Sequence, residues 1–141
     1  MKSINSMKAH FLLDSSDKTF EAFRVQCENL AETWNISHRT ISEIILIIEE
    51  LCTNYFKYGS TGTTHSVEVS LERVGPELLI VYKDRGVAFN PLQVSSPDIH
   101  LPFEERQAGG LGVHLVRHFA DSYTYTRKDR KNILTLTKII K

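Results

Sequence analysis

Glu50 and Asn54 stand four residues apart in a segment whose apolar residues recur at helical spacing, so both project from one side of a helix. An Asn side-chain oxygen is a hard ligand suited to one corner of an octahedral Mg²⁺, the other corners going to phosphate and water. A Glu one turn away can accept a proton from an incoming hydroxyl or orient it. Asp84-Arg85-Gly86 ends a β-rich run, where a carboxylate needs a partner. The amino group of an adenine ring would serve, and Gly86 would let the backbone approach a flat ring or adopt a positive φ. Gly109-Gly110-Leu111-Gly112 precedes a helical pattern, and a glycine-rich turn at a helix start presents backbone N–H groups to an anion such as phosphate. Each signal also has an ordinary structural reading: a solvated helix face, a strand end, a flexible linker. No Gly-Lys-Ser/Thr follows the glycines, and the order of elements does not match a dinucleotide fingerprint.

These residues need elements to hold them. His10 to Leu13 predicts a short strand, and Asp14 to Asp17 supplies cap chemistry for a first helix marked by Phe20, Phe23, Cys27, Leu30, Ala31 and Trp34. After a break at Asn35-Ile36-Ser37, with Ser37 as cap, a second helix is predicted from His38 to Tyr58. Its apolar face is Ile41, Ile44, Ile45, Ile48 and Cys52, and Gly59 closes it. Val67, Val69 and Leu71 alternate as a half-buried strand, Gly75-Pro76 reverses the chain, and Leu78 to Tyr82 reads as a central strand delivering Asp84 to its end. Val87 to Ala108 has no clear period and three prolines, and a loop of that length reads as an active-site flap. A third helix, Leu111 to Phe119, and two strands, Ser122 to Arg127 and Ile133 to Ile140, complete the pattern. The fold class is α+β: a two-layer sandwich with a mixed, mostly antiparallel sheet and helices on one face.

The chain has 141 residues, within the range of one domain, with 17 basic and 17 acidic side chains. That balance, with no basic stripe, argues against nucleic-acid binding. The densest basic stretch, Arg127 to Lys131, lies between two strand patterns and reads as a solvated hairpin turn. Cys27 and Cys52 fall in helical patterns and read as reduced, buried thiols. The longest aliphatic run, Ile44 to Ile48, is far shorter than the roughly 20 residues a membrane span needs. With no signal-peptide pattern at its start, the chain is expected in the cytosol, away from membranes.

Three segments together carry a more specific signal: Glu49 to Gly59, Asp84 to Leu92 and Gly109 to Val116. In this order they resemble the three nucleotide-binding boxes of the histidine-kinase-like ATPases. More closely, the chain is similar to the stand-alone anti-sigma-factor serine/threonine kinases of bacteria. The resemblance implies ATP and Mg²⁺ as cofactors, Glu50 as general base, Asn54 as the magnesium residue, and Asp84 as the reader of adenine with Gly86 packed beside it. Gly109, Gly110, Leu111 and Gly112 match the phosphate-side lid. Ala88 stands where a second glycine is common, Tyr58 where a histidine is common, and Lys131-Asn132-Ile133 where a Gly-Thr-Thr run is common. Thr135 is therefore the expected adenine contact of the last strand. Arg106, three residues before Gly109, is placed either to reach a γ-phosphate or to pair with Glu104 or Glu105 in solvent. The implied partners are a STAS-type antagonist phosphorylated on Ser or Thr and a sigma factor or similar regulator. Related kinases tend to pair, which leaves a homodimer open. The competing function is a nucleotide-dependent binding switch that sequesters a regulator without phosphoryl transfer.

Overall fold

The computed structural model describes residues 6–59, 66–88 and 110–140. The chain opens with β1 (Ser6–Leu13), which starts four residues before the expected strand. It continues through α1 (Asp17–Thr33) and α2 (His38–Asn54). A single π-helical turn, Tyr55–Gly59, then prolongs α2. The hairpin β2 (Val67–Val74) and β3 (Glu77–Asp84) follows, then α3 (Gly110–Phe119) and the hairpin β4 (Ser122–Lys128) and β5 (Lys131–Ile139).

The helix boundaries follow from local chemistry. Ser16 caps α1, its hydroxyl accepting from the Thr19 N–H, while Asp14 accepts from the Ser16 N–H and the Thr19 hydroxyl. At the other end Asn35 turns left-handed at φ 54°. The Asn35 and Ile36 amides then donate back to the Glu32 and Ala31 carbonyls, which is a Schellman ending built on Asn in place of Gly. Ser37 caps α2 by accepting from the Thr40 N–H at 3.1 Å. The buried residues of α2 are Ile41, Ile44, Ile47, Ile48 and Cys52. Ile47 takes the place expected for Ile45, which is half-buried, so the apolar stripe is turned slightly round the helix.

The sheet runs β1-β2-β3-β5-β4, and every pairing among the described strands is antiparallel. Gly75, at φ 59°, makes the β2–β3 reversal. Asp129 and Arg130, both at positive φ, form the two-residue β4–β5 turn, so the basic stretch is a hairpin tip. Register places Phe11, Val69, Tyr82 and Leu134 abreast, with Leu71, Ile80 and Leu136 in the next row. These buried residues share one face, under the helices. Along β3 only alternate residues are buried; Leu79, Val81 and Lys83 remain half-buried on the other face. That pattern belongs to a two-layer sandwich, not to a strand covered on both sides. Among the described residues no helix is long and apolar enough to cross a membrane.

Candidate functional site

Asp84 is the last residue of β3 and continues the helix-facing row of Leu78, Ile80 and Tyr82. It is 9% exposed, and Asn132 on β5, directly opposite it, is 7% exposed. Among the described residues these two are the buried non-aromatic polar side chains, and they bond to each other: Asn132 Nδ2 donates to Asp84 Oδ1 at 2.8 Å. The Gly86 N–H donates to the same oxygen at 3.0 Å, which folds the Asp-Arg-Gly turn back on its own carboxylate. The Tyr82 hydroxyl donates to Oδ2 at 2.9 Å, with the Leu51 carbonyl 3.3 Å from it. Burial, and then the Asp84 charge, hold the Tyr82 phenol well above its ordinary range.

Asn132 ties this end of the sheet together. Its second amide hydrogen goes to the Val87 carbonyl at 2.9 Å. Its Oδ1 accepts from the Tyr125 hydroxyl at 2.5 Å and from Arg127 at 3.1 Å. Arg127 also donates to the Gly86 carbonyl at 2.8 Å. The amide orientation follows from these partners, because a flip would set its NH₂ against two donors. Asp84, Gly86 and Val87 are thereby held in place, with Ala88 exposed just beyond them.

Thr135, expected to contact adenine, does not join this cluster. It pairs with Val81 and Thr124 on the opposite face, since alternate residues of a strand face opposite ways. The β5 residue that meets Asp84 is Asn132, the middle residue of Lys131-Asn132-Ile133. The sequence sign available for it was a polar side chain inside an otherwise apolar-alternating strand.

α2 lies between α1 and α3 and touches both. Glu49, Thr53 and Phe56 line a cavity of about 320 Å³ beside the start of α1. Glu50 and Asn54 lie about 100° further round the helix, turned away from that cavity, and both are half-buried. Burial first, and then the neighbouring Glu49 charge, raise the Glu50 carboxyl above its ordinary range, while Lys57 pulls it down. Lys57, exposed on the π turn, is thus a cation near Glu50 that the sequence reading passed over. Leu51 and Tyr55 occupy the sector facing the sheet, where the Leu51 carbonyl meets the Tyr82 hydroxyl. Cys27 and Cys52 are free and buried, and burial pushes both thiols up to about 12, which leaves them unreactive at neutral pH.

The helix expected from Leu111 to Phe119 starts one residue earlier, so Gly110, Leu111 and Gly112 form the first turn of α3. Their backbone N–H groups fall in the first turn, whose donors have no intrahelical partner. Gly109, Arg106 and most of the expected flap from Val87 to Ala108 lie outside the described residues.

The comparisons with known proteins agree with this architecture. The family model for the histidine kinase-like ATPase domain matches residues 14–138. The serine/threonine-protein kinase BtrW of Bordetella bronchiseptica is 31% identical over 109 residues, 77% of this chain and 75% of that protein. The histidine kinase AdeS of Acinetobacter baumannii has a similar fold, with a TM-score of 0.51 at 16% identity, over 99% of this chain and 69% of that one. The matched span takes in α2, the Asp84 turn, α3 and β5, and the chain belongs to the histidine kinase-like ATPase domain family.

Proposed function

We propose that this chain is a protein kinase that uses Mg-ATP to phosphorylate a Ser or Thr on a STAS-type antagonist, and that it also holds a sigma factor or similar regulator. The observation that carries the reading is the division of labour on the last turns of α2. Glu50 and Asn54 occupy one sector; in the next the Leu51 carbonyl meets the Tyr82 hydroxyl, and the Tyr55 phenol feels the Asp84 charge. The pocket's chemistry fits an adenine nucleotide. Asp84 Oδ2 accepts one described donor and keeps a lone pair, and the buried Tyr55 hydroxyl beside it has no hydrogen-bond partner. Support for the kinase class comes from the 31% identity to BtrW, a serine/threonine-protein kinase.

Mg-ATP, when bound, supplies the phosphoryl group. Asp84 accepts the hydrogen of the base's amino group, and Asn132, Tyr82 and Gly86 fix its carboxylate for that task. Asn54 offers its amide oxygen to the magnesium ion. Among the described residues no three His, Cys, Asp or Glu side chains converge. A single protein oxygen suits an ion that takes most of its ligands from phosphate and water. The first-turn amides of α3 would hold the phosphates, and Glu50 would take the proton of the attacking Ser or Thr hydroxyl as ADP leaves. Its raised carboxyl range makes it a better proton acceptor than an ordinary surface glutamate.

The test is to incubate the protein with Mg-ATP and a purified STAS-type antagonist, then to locate the phosphate by mass spectrometry. An acid-stable phosphoserine or phosphothreonine is expected. An acid-labile phosphohistidine would overturn the substrate class. Stabilisation by Mg-ATP without any transfer would favour the binding-switch reading.

A further inference from the structure

Among the described residues, one buried side-chain polar atom lacks a hydrogen-bond partner, the hydroxyl of Tyr55. The residue is 4% exposed, so water does not serve the hydroxyl freely. A buried hydroxyl without a partner retains its desolvation cost and gains nothing for it. Such groups in a native protein call for an explanation, and an absent ligand is one.

Position gives the explanation its content. Tyr55 follows Asn54 directly and begins the π turn, a helix irregularity found frequently at functional sites. Its backbone N–H donates to the Leu51 and Cys52 carbonyls, and the Leu51 carbonyl lies 3.3 Å from the Tyr82 hydroxyl. Leu51 and Tyr55, four apart, share a helix face, while Tyr82 and Asp84, two apart, share a sheet face. The Tyr55 side chain therefore projects over the end of β3. Consistent with this, burial and then the Asp84 charge raise the phenol, whereas the Arg85 amide, near but outside hydrogen-bond geometry, lowers it.

Two groups thus lie at the end of β3: a carboxylate oxygen with a lone pair to spare and a phenol with a proton to give. Adenine offers the complement along one edge, an amino donor at C6 flanked by the ring acceptors N1 and N7. Resting on the reading of this pocket as an adenine-nucleotide site, we propose that Tyr55 is a second base-reading residue. Its hydroxyl donates to a ring nitrogen flanking the amino group that Asp84 accepts.

The experiment compares wild type with Tyr55→Phe by calorimetric titration of Mg-ATP and of its 7-deaza and 1-deaza analogues, and by thermal unfolding without nucleotide. Removing an orphaned hydroxyl leaves the unliganded Tm equal or slightly higher, and weakens Mg-ATP binding about tenfold. For one of the two analogues, the one lacking the bonded nitrogen, the difference between the variants disappears. Equal Mg-ATP affinity in both variants overturns the proposal, as does a lower unliganded Tm with unchanged affinity, which would mean that the hydroxyl is bonded within the protein. So does an equal penalty for ATP and both analogues, which would assign Tyr55 a role through ring shape. Failure of wild type to bind Mg-ATP at all is a different outcome, and it removes the adenine-site reading together with this one.

Discussion

Glu50→Gln is expected to lower phosphoryl transfer by about 10²-fold or more while leaving Mg-ATP affinity nearly unchanged. The amide keeps the shape and polarity of the side chain but cannot take the proton of the attacking hydroxyl. The pH dependence adds a second check. Burial and the Glu49 charge raise the Glu50 carboxyl, so in wild type the transfer rate climbs with pH through a value above the ordinary glutamate range. That limb is absent from the Gln variant. The sign for stability is opposite to that of a salt-bridged acid. With its pKa raised in the folded state, Glu50 favours folding when protonated. It begins to oppose folding as pH rises through its unfolded pKa, and the penalty is complete above its folded pKa. At neutral pH the Gln variant therefore unfolds at the same temperature as wild type or slightly higher. Single-turnover transfer assays across pH, paired with thermal unfolding, separate this result from loss of fold. Equal activity in both variants would remove Glu50 as the base.

Asp84→Asn has the other large effect, and it falls on binding and stability together. The carboxylate accepts from the Tyr82 hydroxyl, the Gly86 N–H and Asn132 Nδ2. An amide offers one oxygen and sets its NH₂ against one side of this donor set, in which the Tyr82 hydroxyl has a second acceptor nearby, the Leu51 carbonyl. The expected cost is about 2–3 kcal/mol of folding stability, read by chemical denaturation. Loss of a charged acceptor for the base's amino group lowers Mg-ATP affinity about a hundredfold. Thr135→Val, on the opposite face of the sheet, leaves affinity unchanged in the same titration. A Thr135 effect as large as that of Asp84 would contradict the register-based assignment.

The contrast between Asp84 and Thr135 shows what was legible in the sequence and why. A carboxylate closing a β-rich run is unusual by itself, and local pattern was enough to mark it. The residue opposite it depends on the β3–β5 register, a pairing across 48 positions, where a one-residue shift exchanges the two faces of the strand. Asn132 and Thr135 differ in parity, so the threonine lies on the face opposite Asp84. Helix ends were legible because Ser16, Ser37 and Asn35 act through bonds to residues three or four positions away. The end of α2 was harder. The helical period predicts a helix to Tyr58, but the hydrogen bonding shifts to a π turn after Asn54. Ile47 was missed for a smaller reason: in an unbroken run of five aliphatics, Ile44 to Ile48, period alone does not say which is most deeply covered. The helix expected from Leu111 takes in Gly110 as well, so both glycines belong to its first turn.

The central claim is that the end of β3, read by Asp84, is an adenine-nucleotide site. It is tested most directly by thermal unfolding of the full chain with saturating Mg-ATP and, separately, Mg-GTP. A ligand at about 100 times its Kd adds roughly 2.7 kcal/mol to stability. Mg-ATP is expected to raise the Tm accordingly. Mg-GTP, whose O6 would set an acceptor against the Asp84 carboxylate, is expected to leave it unchanged. Equal shifts with both nucleotides, or none with either, would contradict the account.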